Sequence, residues 1–71
     1  MRKATVNNVK LHDVLYSPNY LDLEIKITEI GSTFMLYEVN GFEVRVDKEQ
    51  FSYFFKDFFI KPKFIDYYDV L

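Results

Sequence analysis

Residues 37–46 read YEVNGFEVRV, and this stretch predicts a β-hairpin. Asn40 and Gly41 lie between two runs in which apolar and polar residues alternate, and a type I′ turn needs positive φ at both of its central residues, which Asn and Gly tolerate well. A two-residue turn also fixes the register of the two strands. The predicted cross-strand pairs, whose side chains share one side of the sheet, are Val39 with Phe42, Tyr37 with Val44, and Met35 with Val46.

Two further strands are predicted upstream of the hairpin. Residues 20–30 (YLDLEIKITEI) alternate between apolar and polar side chains, which predicts a long strand with one buried and one solvated face. Residues 9–16 (VKLHDVLY) are the predicted first main strand, and residues 17–19 (SPN) form the turn between the two.

Residues 51–59 (FSYFFKDFF) carry six aromatic rings in nine positions. A helix is predicted here, with Asp47 as the N-cap of a capping box and Pro62 at the end. At 100° per residue, five rings fall within an arc of about 140°, while Tyr53 and Ile60 lie on the far side. Such a stripe suits a helix that covers a sheet, so the run is interpreted mainly as core rather than as a platform for nucleic-acid bases. The five rings are Phe51, Phe54, Phe55, Phe58 and Phe59.

The last segment, residues 63–71 (KFIDYYDVL), is predicted to form a strand that pairs with the sheet. A single domain over residues 1–71 is expected, because a chain of this length has no room for a second core. Its predicted class is α+β, an antiparallel sheet of four to five strands in β-β-β-β-α-β order with one helix packed on its apolar face. A small five-stranded barrel plugged by the helix is the alternative.

Composition narrows the class of protein. The 71 residues are 20% aromatic and include no cysteine, so stability has to come from apolar burial rather than from disulfides. Nine Lys and Arg against eleven Asp and Glu give a formal net charge of −2, which is too balanced for a typical DNA-binding domain. No apolar stretch reaches about 18 residues, and the first residues lack the apolar segment of a signal peptide. No membrane span is therefore expected, and a cytoplasmic location is predicted.

Catalytic and metal-binding residues are not predicted. His12 is the only histidine, and its neighbour Asp13 would point to the opposite face of a strand. The chain has no serine in a Gly-flanked elbow and no Gly-rich phosphate loop. Asp22 and Glu24 share a solvated strand face, but nothing forces them to converge as a hard cation requires. The expectation is no enzyme, no cofactor, no metal and no small-molecule substrate.

More apolar side chains are present than one helix and one sheet face can cover. Contiguous exposed apolar patches on small proteins commonly mark interaction surfaces, where Tyr and Phe are favoured. An interface with a protein partner, or self-association as a homodimer, is therefore predicted at the residues that this architecture leaves uncovered. They are Phe34, Leu36, Tyr53, Ile60, Tyr67 and Tyr68.

The preferred hypothesis is a non-enzymatic protein-binding module, a small regulator or inhibitor of a larger host protein. Phe, Tyr, Ile, Asn and Lys are abundant relative to Gly, Ala, Arg and Pro, a bias typical of AT-rich genomes. By analogy, this bias favours a phage or mobile-element accessory protein. The sequence carries no motif diagnostic of a family.

A single-stranded nucleic-acid-binding protein is the alternative. Such proteins combine aromatic rings that stack on bases with cations that follow the phosphate backbone. Asp57, Asp66 and Asp69 lie among the same residues and repel phosphates, so this hypothesis ranks second. The residues that would form the site are Lys56, Lys61, Lys63, Phe64 and Tyr67.

Overall fold

The computed structural model describes residues 2–62, whose backbone forms one antiparallel sheet. The strands are β1 (Arg2–Lys3), β2 (Val14–Ser17), β3 (Tyr20–Ile30), β4 (Phe34–Val39), β5 (Phe42–Asp47) and β6 (Phe59–Ile60). A 3₁₀ turn at Lys48–Gln50 and the helix α1 (Phe51–Phe54) connect β5 to β6. The order across the sheet is β1-β6-β2-β3-β4-β5, so among the described residues β1 and β5 are the two edges and the sheet is open. The α+β class with an open antiparallel sheet is confirmed. The predicted count of four to five strands is wrong, because the sheet has six among the described residues, and the barrel alternative is also wrong.

The hairpin of β4 and β5 is built as predicted. Asn40 and Gly41 have φ angles of 53° and 82°, as a type I′ turn requires. The register pairs Val39 with Phe42, Tyr37 with Val44, and Met35 with Val46. The side chains on this face of the hairpin become more exposed toward the turn. Met35 and Val46 are almost inaccessible, whereas Phe42, beside the turn, is 73% exposed. The pairing is therefore confirmed, but the apolar side of β5 is covered at only one end.

The first main strand is shorter than predicted, since residues 9–13 form turns and β2 begins at Val14. The carboxylate of Asp13 accepts the backbone N–H of Lys10 at 2.8 Å, which holds this part of the chain in a turn. His12 donates its backbone N–H to the Ile27 carbonyl, and Ile27 donates its own N–H to the Asp13 carbonyl, both at 2.9 Å. Two residues thus face one across the ladder, which is the geometry of a β-bulge.

His12 occupies the bulge with φ of 73°, in the left-handed region that β-branched residues avoid. His12→Val is therefore expected to lower the free energy of unfolding by about 1–2 kcal/mol. His12→Gly is the control and is expected to be neutral or slightly stabilising, because Gly adopts this φ without steric cost. Urea unfolding of the two variants measures the difference, and equal stabilities would show that the bulge is not maintained.

The helical segment is much shorter than predicted. A 3₁₀ turn leads into α1, which ends at Phe54, and the side chain of Asp47 makes no capping hydrogen bond. The Asp47 carboxylate instead accepts from the guanidinium of Arg45 at 3.3 Å. The predicted capping box and the extension of the helix to Pro62 are both wrong. None of the helical segments in residues 2–62 has the length and apolar character needed to cross a membrane.

The chain after α1 turns and becomes a strand of the sheet. Phe58 donates its N–H to the Phe55 carbonyl at 3.1 Å, closing the turn that replaces the rest of the predicted helix. β6 then inserts between β1 and β2, with Phe59 paired to Tyr16 and Ile60 paired to Leu15. Phe59 and Ile60, which the sequence predicts to be helical, therefore form the strand that follows α1. The strand predicted at residues 63–71 lies outside the described residues.

Aromatic rings form the centre of the core on the side of the sheet that α1 covers. Phe51, Phe55 and Phe58 are each less than 7% exposed, and they pack with Ile25, Ile27 and Met35. Tyr37 meets Phe55 edge-to-face at 5.2 Å, and burial raises the pKa of the Tyr37 hydroxyl above its ordinary value of 10.0. The interpretation of the Phe run as core is confirmed for these three rings. Phe54 is exposed, and Phe59 is half-buried on β6.

Candidate protein-binding surface

A cleft lined with aromatic rings lies between the start of β3 and the segment that contains α1 and the following turn. Its volume is about 280 Å³. Three of its side chains are large and exposed: Tyr20 at 59%, Tyr53 at 79% and Phe54 at 54%. We call this feature the aromatic cleft, and its lining residues are Tyr20, Tyr53, Phe54, Lys56, Asp57 and Phe58.

The exposure of Tyr53 and Phe54 follows from which rings α1 buries. Phe51 and Phe55 lie four positions apart, share one face of the helical turn and enter the core with ring centroids 4.9 Å apart. Tyr53 and Phe54 project away from that face and contact each other edge-to-face at 5.5 Å. Two adjacent rings are thus held at the surface by the burial of their neighbours.

The opposite wall of the cleft is tied to the core. Tyr20 stacks on Phe58 at 6.5 Å with the ring planes 19° apart. Phe58 in turn meets Phe55 edge-to-face at 5.3 Å. Because Phe58 is buried, the ring on which Tyr20 stacks is fixed by the core. A surface held in this way loses little conformational entropy when it binds a partner.

The rim of the aromatic cleft carries one cation and one anion, Lys56 and Asp57. The Asn19 amide donates to the Asp57 carboxylate at 3.4 Å, linking the turn before β3 to the turn after α1. Opposite charges side by side provide no net attraction for a phosphate backbone. They suit a polypeptide that brings both an apolar side chain and polar groups to the rim.

The predicted interface residues do not lie on one surface. Tyr53 is exposed on the α1 side, whereas Phe34 and Leu36 alternate with the core residues of β4 and lie on the opposite side of the sheet. Phe34 is half-buried there, with the Arg45 guanidinium 4.5 Å from the centre of its ring. The position predicted for Ile60, behind a helix, is wrong: it is 6% exposed in β6, and its side chain belongs to the core. Tyr67 and Tyr68 lie outside the described residues.

The cations predicted for nucleic-acid binding are also separated. Lys61 reaches the carboxylate of Glu24 at 2.6 Å, on the polar side of the sheet. Lys56 lies at the aromatic cleft, on the α1 side. These two side chains are therefore on opposite sides of the sheet and form no common basic patch. Lys63, Phe64 and Tyr67 lie outside the described residues.

Within residues 2–62, His12 and its neighbours do not form a recognisable catalytic or metal-binding arrangement. His12 is exposed at the bulge, and the Asp13 carboxylate accepts the Lys10 backbone N–H. Within residues 2–62, no group of three or more His, Cys, Asp or Glu side chains could hold a metal ion. The absence of enzymatic activity remains a prediction.

Sequence reasoning missed two residues of the cleft, Tyr20 and Phe54. The helical pattern predicts that Phe54 belongs to the buried stripe. In the short α1, however, Phe51 and Phe55 fill the buried side of the turn, and Phe54 is left exposed. Tyr20 follows the Ser-Pro-Asn turn, and the alternation of β3 alone does not indicate that it stacks on Phe58. The chain matches no family model, no curated protein and no solved structure with which it was compared.

Proposed function

We propose that this protein is a non-enzymatic protein-binding module, a small regulator or inhibitor that docks on a larger protein through the aromatic cleft. One observation carries the proposal: Tyr53 and Phe54, adjacent in sequence and exposed, face Tyr20 across a single cleft. Exposed aromatic rings that are grouped in this way are typical of interaction surfaces. A phage or mobile-element origin remains a prediction from composition.

The chemistry of the cleft favours a polypeptide partner with an apolar anchor. The rings offer apolar area, while Lys56 and Asp57 at the rim pair with charges of either sign. A single-stranded nucleic acid could stack on the same rings, but Asp57 repels its phosphates and Lys61 is engaged by Glu24 on the other side of the sheet. Protein binding is therefore the function that this surface supports best.

The cleft should carry the affinity for the partner. The tagged 71-residue chain is used for capture from a low-GC bacterial lysate with and without nuclease treatment. A protein retained after nuclease treatment is then purified and titrated by calorimetry. Tyr53→Ala is expected to weaken binding by about thirtyfold, the effect of losing an aromatic hot spot. Leu11→Ala is the matched control, because Leu11 is 47% exposed and lies outside the cleft lining, and it should change the affinity less than about twofold.

Two results would contradict the proposal. The first is a partner whose affinity is the same for the Tyr53→Ala variant and for the Leu11→Ala control. The second is a set of captured proteins that disappears on nuclease treatment, together with direct binding of a single-stranded oligonucleotide that weakens steeply between about 50 and 200 mM salt. That second result would assign the same rings to nucleic-acid stacking. Thermal melting of both variants confirms that they remain folded.

A further inference from the structure

β5 is an edge strand with little protection against pairing. Among the described residues it pairs only with β4, and five of its six side chains are exposed. Phe42 and Val44, on its apolar side, are 73% and 36% exposed. The other edge, β1, is two residues long and carries Arg2 and Lys3, a short and charged edge of the kind that discourages pairing. β5 is longer, with six residues, and its charged side chains alternate with apolar ones.

The hairpin geometry decides which backbone groups of β5 point outward. In a two-residue hairpin the residues that flank the turn form a hydrogen-bonded pair, so Phe42 and every second residue after it direct their N–H and C=O groups at β4. The bond from the Lys48 N–H to the Thr33 carbonyl, at 2.9 Å, continues this alternation. Glu43, Arg45 and Asp47 therefore direct their backbone groups toward the open edge.

A second copy of β5 could pair with this edge only in certain registers. Antiparallel pairing that uses the outward groups sets odd-numbered residues opposite odd-numbered residues, so the twofold axis passes through a single residue. An axis at Arg45 sets Arg45 against itself and Glu43 against Asp47, which places like charges opposite each other. An axis at Val46 pairs Arg45 with Asp47 but leaves the first half of β5 unpaired.

An axis at Val44 pairs residues 42–46 of each copy, which is all of β5 except Asp47. It sets Glu43 of each copy opposite Arg45 of the other, so two pairs of opposite charges form on the polar side of the sheet. On the apolar side it sets Val44 against Val44, and Phe42 against Val46. Charge complementarity and apolar coverage thus select the same register.

We infer that β5 pairs with β5 of a second copy of this chain, antiparallel and centred on Val44, and joins two sheets into one. The axis is perpendicular to the sheet, so α1 of each copy lies on the same side of the joined sheet. The inference goes beyond the proposed function, because β5 contributes no residue to the aromatic cleft. Failure of one therefore leaves the other standing.

A charge exchange tests both the dimer and its register. Sedimentation of the 71-residue chain over a roughly hundredfold range of concentration should show a monomer–dimer equilibrium. Arg45→Glu sets Glu against Glu43 of the second copy and should raise the dissociation constant about tenfold or more. The double variant Glu43→Arg/Arg45→Glu restores both pairs of opposite charges in this register and should restore the dimer, whereas an axis at residue 45 would still set Glu against Glu. The exchange cannot restore the stacking of Arg45 on Phe34, so recovery reports pairing and not folding.

A cysteine cross-link locates the axis. The chain has no cysteine, so Val44→Cys introduces a single thiol that the proposed axis places opposite its own copy. Residues facing each other in a non-hydrogen-bonded antiparallel pair are close enough for a disulfide. With oxidised glutathione as the oxidant, Val44→Cys should form a covalent dimer much faster than the exposed control Leu11→Cys. Tyr53→Ala should leave the dimer unchanged.

Three outcomes would overturn the inference. The first is a 71-residue chain that stays monomeric over the whole concentration range. The second is a charge-exchanged variant that fails to recover the dimer lost by Arg45→Glu, and the third is equal cross-linking rates for the two cysteine variants.

Discussion

Phe55→Ala is expected to lower the free energy of unfolding by about 3–5 kcal/mol, which is most of what a single core supplies in a domain of this size. Phe55 is 4% exposed and is the ring at which the aromatic core converges. Its centroid lies 4.9 Å from Phe51, 5.2 Å from Tyr37 and 5.3 Å from Phe58. Truncation to Ala removes the buried ring and leaves a cavity between α1 and the sheet.

The neighbouring Phe54 provides a matched control for this prediction. It is the same residue type one position away but is 54% exposed, so Phe54→Ala is expected to cost less than about 1 kcal/mol. Urea unfolding followed by far-ultraviolet circular dichroism measures both variants. Similar losses for the two would mean that Phe54 is buried, and the aromatic cleft would then lose one of its walls.

The parts of the fold that follow from local sequence could be predicted. The turn at Asn40 and Gly41 depends on backbone preferences of the two residues themselves, and its length sets every pair between β4 and β5. The predicted range of 20–30 matches β3, because the alternation depends only on one face being buried. That face is buried at Ile25 and Ile27, whereas Leu21 near the start of the strand is 84% exposed.

The parts of the fold that depend on residues distant in sequence could not be predicted. Residues 55–60 fit a helical period, but β6 is stabilised by its pairing with β1 and β2, which are more than forty positions away. Lys3 also donates to the Phe55 carbonyl at 3.2 Å, which satisfies a group that a longer helix would have bonded internally. Neither contact leaves a pattern in the residues around Phe55.

The same error in helix length explains which surface residues were missed. A helix that continued to Pro62 would cover more of the apolar face of the hairpin, including Phe42 and Val44. The short α1 leaves both exposed on β5. Tyr53 was predicted correctly as exposed because it lies outside the inward arc for either helix length. Exposure on β5 is therefore a consequence of tertiary structure and not of the strand's own sequence.

Ile60→Ala distinguishes the two structures that the sequence of residues 51–60 allows. In β6, Ile60 is 6% exposed and paired with Leu15, and truncation is expected to cost about 2–4 kcal/mol as in other cores. On the outer face of a continuous helix, the same change would be neutral or slightly stabilising, because Ala has the higher helix propensity. The strand thus predicts a clear loss of stability for this substitution, and the helix predicts none.

Ile30 at the end of β3 is the matched control for Ile60. It is 37% exposed, so Ile30→Ala removes the same atoms from a site that is already partly hydrated and should cost about 1 kcal/mol. Urea unfolding of the two variants gives the comparison. A loss at Ile60 no greater than at Ile30 would contradict the insertion of β6 between β1 and β2. It would also remove the reason for the exposed edge at β5, because a longer helix could again cover Phe42 and Val44.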